Sequence, residues 1–163
     1  MKKIIMVVLM LAMTTLYAQN LNQFKGLSEH NAGRVGVGLT SSNYYGGITA
    51  KLYLSDQLAL QGSIASAYNN GILGSVDVIF EVANLVEGNK ALLLPLYVGA
   101  GINFQMWNDY YNNNHTAFSF SGVVGAAVQL RVIPLEFSLE LRPTIGNGRV
   151  NLFYGGAAVR WFF

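Results

Sequence analysis

Few side chains in this sequence could carry out chemistry. The chain has no cysteine and two histidines, His30 and His115. His115 follows Asp109 closely in the sequence, and the pair could combine with Ser41 or Ser42 in a hydrolase or acyltransferase triad. No spacing between these residues fixes such a geometry, and a single histidine in a polar loop is usually only solvated. We therefore expect no enzyme activity, no metal site and no cofactor.

A second set of residues carries charge inside segments that alternate between apolar and polar side chains. Because side chains on a β-strand point alternately to its two faces, these charges would all lie on the polar face. They are Arg34, Lys51, Asp77, Glu81, Arg131, Glu136, Glu140, Arg142 and Arg160. Cations and anions are nearly balanced in this set, so the charges could be buried together if they form ion pairs.

Residues 1–18 have the form of a secretory signal peptide. Lys2 and Lys3 precede an apolar run over residues 4–13, and Ala18 closes a cleavage region before Gln19. The apolar run is too short to cross about 30 Å of hydrocarbon as a helix. Residues 19–33 are polar and irregular, and fit a periplasmic tail, a segment inserted in a lumen or a short helix.

Removal of the signal peptide changes the charge balance of the chain. The full sequence has 10 basic and 8 acidic residues, and Lys2 and Lys3 account for the excess. The mature chain therefore has no formal net charge, which gives no support to a nucleic-acid partner. The absence of cysteine also excludes a disulfide scaffold.

The composition indicates a membrane β-barrel. Charged residues make up 11% of the sequence, against about 25% in soluble domains. No second apolar run is long enough for a transmembrane helix. Only helices and closed barrels satisfy their backbone hydrogen bonds in lipid, so a closed barrel is the remaining structure.

Eight segments of residues 34–163 alternate with the period of a strand. They cover approximately residues 34–42, 46–55, 58–68, 72–83, 91–107, 117–132, 135–142 and 149–163. Three turns, after the second, fourth and sixth segments, are tight, and the longest polar connection covers residues 108–116. An even strand number with short turns at one end is typical of an up-and-down antiparallel transmembrane barrel. We expect Pro95 and Pro143 to lie near opposite rims, since proline removes a donor from the strand ladder.

The polar face of the segments indicates which side of the barrel meets lipid. A soluble lipocalin-type barrel also has eight alternating strands, but its outer face needs many lysines and glutamates for solubility. Here the polar face is mostly small and uncharged, which suits the narrow interior of an eight-stranded barrel. We therefore expect the apolar face to meet lipid, with aromatic residues such as Tyr45, Trp107 and Trp161 near the two interfaces.

The carboxyl-terminal strand carries a recognisable pattern. It reads Tyr154-x-Gly156-x-x-Val159-x-Trp161-x-Phe163. With the signal peptide and eight strands, this pattern resembles the small outer-membrane β-barrel families of the OmpX and OmpA-transmembrane kind. The resemblance implies that these five residues form the signal read by the outer-membrane barrel assembly machinery. It implies localisation in a Gram-negative outer membrane, with lipid and lipopolysaccharide as further partners.

The expected function is an envelope structural or interaction role, without catalysis, in which the charged set plugs the lumen. A porin-like narrow channel for small solutes is one alternative, and a lipid A-modifying enzyme is another. OmpW-like barrels, which have an apolar lumen for hydrophobic solutes, fit the charged polar face less well.

Overall fold

The structure is a computed structural model that describes residues 34–42, 45–67, 71–86, 91–108, 114–130, 132–146, 149–151 and 155–163. The signal peptide of residues 1–18 and the tail of residues 19–33 lie outside the described residues. Among the residues that are described, no helix has the length and apolarity needed to cross a membrane.

The described chain consists of β-strands. They are β1 (Val35–Ser42), β2 (Tyr45–Tyr53), β3 (Leu58–Ala67), β4 (Ile72–Asn84), β5 (Leu92–Leu93), β6 (Pro95–Asn108), β7 (Asn114–Leu130), β8 (Leu135–Leu141), β9 (Thr144–Gly146), β10 (Arg149–Asn151) and β11 (Gly155–Phe162). The predicted strand over residues 91–107 contains β5 and β6, and the predicted strand over residues 149–163 contains β10 and β11. The predicted strand over residues 135–142 corresponds to β8, and β9 lies beyond its predicted end.

These strands close into an eight-stranded antiparallel barrel, as the sequence predicts. Each wall strand pairs with its sequence neighbour, and β11 pairs with β1 to complete the ring. Neighbouring strands are offset in register around the ring, and closing a sheet into a barrel requires this offset and a tilt of the strands against the barrel axis. A barrel of this size has an interior just wide enough for side chains to fill.

The two faces of the barrel wall differ in polarity. On β8, Phe137, Leu139 and Leu141 are exposed outside the barrel, whereas Glu136 and Ser138 are buried inside it. The same alternation runs through β2, β4 and β11. The exterior is therefore an apolar surface, and the polar and charged side chains of the alternating segments point into the lumen.

The barrel has two rims, which we name by their residues. The C-terminal rim contains Phe163, the start of β1 and the turn of residues 54–57. The distal rim contains Ser42 at the end of β1 and Tyr45 at the start of β2. β1 runs from the C-terminal rim to the distal rim. β11 runs in the opposite direction and ends at the C-terminal rim, and it pairs with β1 to close the barrel.

One loop is shorter than the sequence predicts. Residues 114–116 belong to β7, where Asn114 pairs with Asn108 and His115 with Trp107. The prediction that residues 108–116 form one loop was therefore wrong at its end. Their polar character reflects a hairpin that continues to the distal rim, where polar side chains on strands can meet water.

Pro95 and Pro143 lie at two breaks in the wall strands. Pro95 is the first residue of β6, which follows β5 after Leu94. At this break the side-chain oxygen of Asn84 accepts from the amides of Leu94 (3.0 Å) and Val86 (3.2 Å). A register irregularity lies beside this point, between Glu81 and Ala83. Pro143 separates β8 from β9, and its carbonyl still accepts from the Gly122 amide at 2.9 Å.

Candidate lumen site

The innermost charges form a cluster between β2, β8 and β11. Arg160 is the register partner of Glu136, and its Nη1 lies 2.7 Å from Glu136 Oε1. Lys51 Nζ lies 3.1 Å from the other carboxylate oxygen, Glu136 Oε2. All three side chains are almost fully buried. Glu136 is thus held by two cations that reach it from different wall strands.

A second cluster lies nearer the distal rim and contains Arg142. Its Nη2 lies 2.7 Å from Glu140 Oε2, and its Nη1 lies 2.9 Å from Asp77 Oδ2. Asp77 comes from β4 on the other side of the lumen, so this guanidinium crosses the barrel. Arg160 Nη2 approaches Glu140 Oε1 at 3.8 Å and connects the two clusters.

Neutral side chains donate further hydrogen bonds to the glutamate carboxylates. Gln129 donates to Glu136 at 2.9 Å and to the Tyr53 hydroxyl at 2.7 Å. Tyr53 in turn donates to Glu81 Oε1 at 2.6 Å. Tyr97 donates to Glu140 Oε1 at 2.9 Å. Buried charges are stabilised only when they are paired and hydrogen-bonded in this way.

Lys51 occupies a polar and aromatic environment. Besides Glu136, it approaches Glu81 Oε1 at 3.6 Å. Its Nζ lies 4.7 Å from the centroid of the Tyr53 ring and 5.2 Å from that of Tyr97. These distances are within the range of cation–π attraction, which strengthens when the groups are desolvated.

Sequence reasoning missed the tyrosines and glutamines of this network. The sequence did indicate that these residues share the polar strand face with the charges, because side chains alternate along a strand. They are Tyr53, Gln61, Tyr97 and Gln129. Alternation alone does not show which wall strands face one another across the lumen.

An apolar cluster fills the lumen towards the C-terminal rim. Its buried members are Tyr53, Ala59, Ile79, Tyr97, Val123, Ala127 and Phe162. The Phe162 ring lies over Gly36, where a Cβ would come within 2.6 Å of Phe162 Cζ. The Tyr53 and Phe162 rings are 5.8 Å apart between centroids. This half of the interior is therefore packed with side chains.

A cavity of about 40 Å³ lies on the distal side of the ion pairs. Its floor contains Glu140, Arg142 and Arg160, and it extends to Ser42 and Tyr45 at the distal rim. The charged clusters thus lie between the apolar cluster on one side and this small cavity on the other.

Two of the nine predicted lumen charges are not placed in this network. Arg34 is exposed at the C-terminal rim, because it precedes β1 and lies at the open end of the barrel. The expectation that its side chain joins the lumen charges was therefore wrong. Arg131 lies outside the described residues. The other seven charged side chains are all buried inside the barrel. They are Lys51, Asp77, Glu81, Glu136, Glu140, Arg142 and Arg160.

The residues of the terminal pattern take the two faces of β11. Val159, Trp161 and Phe163 are exposed on the outer surface, and Gly156 is partly buried. Tyr154 lies outside the described residues. Recognition by an assembly machinery remains a prediction for these positions.

Of the candidate catalytic residues, the structure describes Ser41, Ser42 and His115. His115 is exposed and its ring stacks on that of Trp107, with 5.5 Å between centroids. Ser41 is exposed at the distal rim, and His30 and Asp109 lie outside the described residues. Within the described ranges, no group of three or more potential ligands could hold a metal ion.

The fold and interior define the class of protein: a closed eight-stranded antiparallel β-barrel with an apolar outer surface and an ion-paired lumen. One solved structure of similar architecture is the N-terminal β-barrel domain of Pseudomonas aeruginosa OprF, with a TM-score of 0.54 and 19% sequence identity over 78% of this chain and 96% of that chain. At this identity the similarity concerns the fold alone. No protein-family model and no curated protein matches the chain.

Proposed function

We propose that the chain is a non-enzymatic, integral outer-membrane β-barrel protein with a structural or interaction role in the cell envelope. The observation that carries this proposal is the apolar outer surface of a barrel whose charges are buried inside. Leu39, Phe120 and Leu139 are each exposed by about 70% on that surface. A closed barrel with this polarity matches a lipid environment, which requires internal backbone pairing and apolar side chains outside.

The continuity of the outer apolar surface supports the same proposal. Monomeric soluble proteins rarely expose contiguous apolar patches larger than a few hundred Å². Here exposed large apolar side chains occur on wall strands all around the ring, from Val37 on β1 through Val76 on β4 to Val159 on β11. Outer-membrane lipid and lipopolysaccharide are the partners that would cover such a surface.

The proposed role includes a lumen closed by the ion pairs and the apolar cluster. Lys51, Glu136 and Arg160 are fully buried across the centre of the barrel, and a narrow eight-stranded barrel has little space besides its side chains. We propose that this interior stabilises the barrel and blocks passage. Assembly through the terminal strand, after export directed by the signal peptide, is part of the proposal.

Membrane insertion can be tested with the mature chain, residues 19–163, produced without its leader. We expect it to fold only in detergent micelles or lipid vesicles and to show heat-dependent mobility on gels. Leu139→Arg places a charge on the outer surface and costs about 2–4 kcal/mol if it lies near the bilayer midplane. Asp56→Arg, in an exposed turn, is the matched control and should insert normally. A monomeric wild-type chain in detergent-free buffer would overturn the proposal.

A narrow solute channel is the second candidate, because a cavity of about 40 Å³ lies on the distal side of the ion pairs. Conductance across planar bilayers distinguishes the two roles. The proposed closed barrel gives no regular channel steps, whereas steady unitary steps at neutral pH would favour the channel.

A lipid A-modifying enzyme is the remaining alternative, and the masses of lipid A test it. We expect lipid A from cells producing the wild-type chain and from cells producing His115→Ala to have the same masses. A mass difference that depends on His115 would favour the enzyme alternative.

A further inference from the structure

The first and last wall strands, β1 and β11, meet at one seam of the barrel. Residues 36–42 of β1 pair with residues 156–162 of β11, and the Phe163 amide donates to the Val35 carbonyl at 2.8 Å. These two strands lie at opposite ends of the described chain, so no turn joins them. We call this pairing the closing seam, because opening the ring there breaks no hairpin.

The inner face of β1 carries no side chain at the middle of the closing seam. Gly36 and Gly38 are its two successive inward residues there. The ring of Phe162 covers Gly36, and a Cβ at Gly38 would collide with the backbone of Val159 and Arg160 on β11. Side chains of the neighbouring strands can therefore pass over β1 inside the barrel.

Two side chains of β11 pass over β1 and reach β2. Gly38 of β1 is the register partner of both Arg160 and Thr49. Arg160 spans this distance and donates to Thr49 Oγ1, at 3.3 Å from Nε and 3.1 Å from Nη2. Phe162 is the next inward residue of β11, and its ring centroid lies 5.8 Å from that of Tyr53 on β2. The last strand is thus tied to the second strand as well as to the first.

A third side chain crosses the closing seam in the opposite direction. Lys51 of β2 reaches Glu136 Oε2 on β8 at 3.1 Å, and the same carboxylate binds Arg160 at 2.7 Å. Lys51 and Arg160 are each 1% exposed, and separating a buried charge from its partner is strongly unfavourable. Opening the closing seam would therefore also break the ion pairs that fill the lumen.

We propose that Arg160, Phe162 and Lys51 form a latch that holds the closing seam shut from inside the barrel. The latch ties β11 and β8 to β2 over the bare inner face of β1. Closure of the ring then pairs β1 with β11 and completes the lumen ion pairs in one step. Loss of the latch opens this seam while the other wall strands stay paired. The latch does not depend on membrane insertion, so it can be measured in detergent micelles.

Hydrogen exchange of single amides in the folded mature chain tests the latch. Bonded pairs occur at every second residue of an antiparallel ladder, so the amides of Val37 and Leu39 point across the closing seam to β11. In the wild-type barrel we expect them to exchange as slowly as the amides that join β3 to β4. Much faster exchange at the closing seam would show that it opens freely, and would overturn the proposal.

Two hydroxyl acceptors of Arg160 provide a matched pair of variants. Thr49 lies across the closing seam on β2, whereas Ser138, which accepts from Arg160 Nη1 at 3.0 Å, lies on β8 on the same side as β11. Both residues are 3% exposed. Thr49→Val should speed exchange at Val37 and Leu39 roughly tenfold, because a hydrogen bond to a charged group is lost across the seam. Ser138→Ala should leave the exchange of these amides unchanged.

The amides between β3 and β4 report whether the effect is local. We expect them to keep their wild-type rates in Thr49→Val. Thr49 Oγ1 also donates to the Gly62 carbonyl on β3 at 3.0 Å, so faster exchange between β2 and β3 alone would reflect that bond and would overturn the latch. If Thr49→Val does not fold, Phe162→Leu tests the second crossing with the same amides and the same expectation.

The pattern of exchange among the variants decides the proposal. Equal acceleration at the closing seam in Thr49→Val and Ser138→Ala would mean that Arg160 needs acceptors wherever they lie, and that no latch exists. Equal acceleration of all wall amides would mean that the barrel opens as a whole, which also contradicts the latch. Unchanged exchange at Val37 and Leu39 in both Thr49→Val and Phe162→Leu would overturn it directly.

Discussion

Arg160 and Glu136 are register partners on β11 and β8, and their side chains meet inside the barrel with 2.7 Å between Nη1 and Oε1. Lys51 reaches the same carboxylate from β2. One carboxylate thus links three wall strands, of which β2 and β8 are not neighbours in the ring.

Removing the charge of Glu136 should destabilise the barrel strongly. Glu136→Gln leaves two buried cations, Lys51 and Arg160, without their shared anion, and breaking a buried pair on one side costs about 3–5 kcal/mol. We expect a lower urea midpoint for unfolding from micelles, followed by gel mobility without heating.

The exposed carboxyl of Asp56 provides the matched control for this charge removal. Asp56→Asn makes the same chemical change in a turn and should leave the midpoint unchanged. Equal midpoints for Glu136→Gln and the wild-type chain would show that the ion pairs do not stabilise the barrel.

Features that depend on neighbouring residues in one strand could be predicted from the sequence, whereas features that depend on the whole barrel could not. The two faces of β8 could be predicted because alternation of Phe137 with Glu136 and Ser138 is visible within a few residues. The contact between Lys51 and Glu136 could not, because it depends on the stagger of the whole ring. Arg34 was misplaced for a related reason: period-two alternation gives a face but not the height at which the wall ends.

Gly36 should be intolerant of a side chain because of Phe162. A Cβ at position 36 would lie 2.6 Å from Phe162 Cζ, so Gly36→Ala must displace the ring that covers the C-terminal end of the lumen. Overpacking of this kind costs about 1–3 kcal/mol. We expect a lower unfolding midpoint, with partial recovery when Phe162→Leu is added.

Gly46, on the outer face of the neighbouring strand β2, supplies the comparison for this effect. A Cβ at Gly46 would meet nothing within 4 Å, so Gly46→Ala should be nearly neutral. If both alanine variants lose the same stability, general loss of glycine in strands explains the result and the contact with Phe162 does not.

Asn84 should hold the interrupted wall strand beside Pro95. Its side-chain oxygen accepts from the amides of Val86 and Leu94, and each hydrogen bond contributes about 0.5–1.5 kcal/mol. We expect Asn84→Ala to increase amide hydrogen exchange at these two residues without changing exchange in the middle of β7.

Asn84→Asp keeps the oxygen acceptor and should retain the slow exchange of both amides. Fast exchange in Asn84→Asp as well as Asn84→Ala would mean that the amide group, rather than the acceptor, is required. Unchanged exchange in Asn84→Ala would show that the Asn84 oxygen does not protect these amides.

Trp161 should report directly on contact with lipid. It is 45% exposed on the outer face of β11, near the C-terminal rim, where aromatic residues of membrane barrels lie at the interface. The sequence contains two tryptophans, so Trp107→Phe leaves Trp161 as the single fluorophore. In vesicles with brominated acyl chains, we expect strong quenching of Trp161, greatest for bromines placed near the headgroups.

Because Trp107 lies towards the other rim, Trp161→Phe should give the corresponding signal from the distal interface. Quenching of Trp161 by aqueous iodide, with no effect of brominated lipid, would place this surface in water and contradict the lipid-facing exterior.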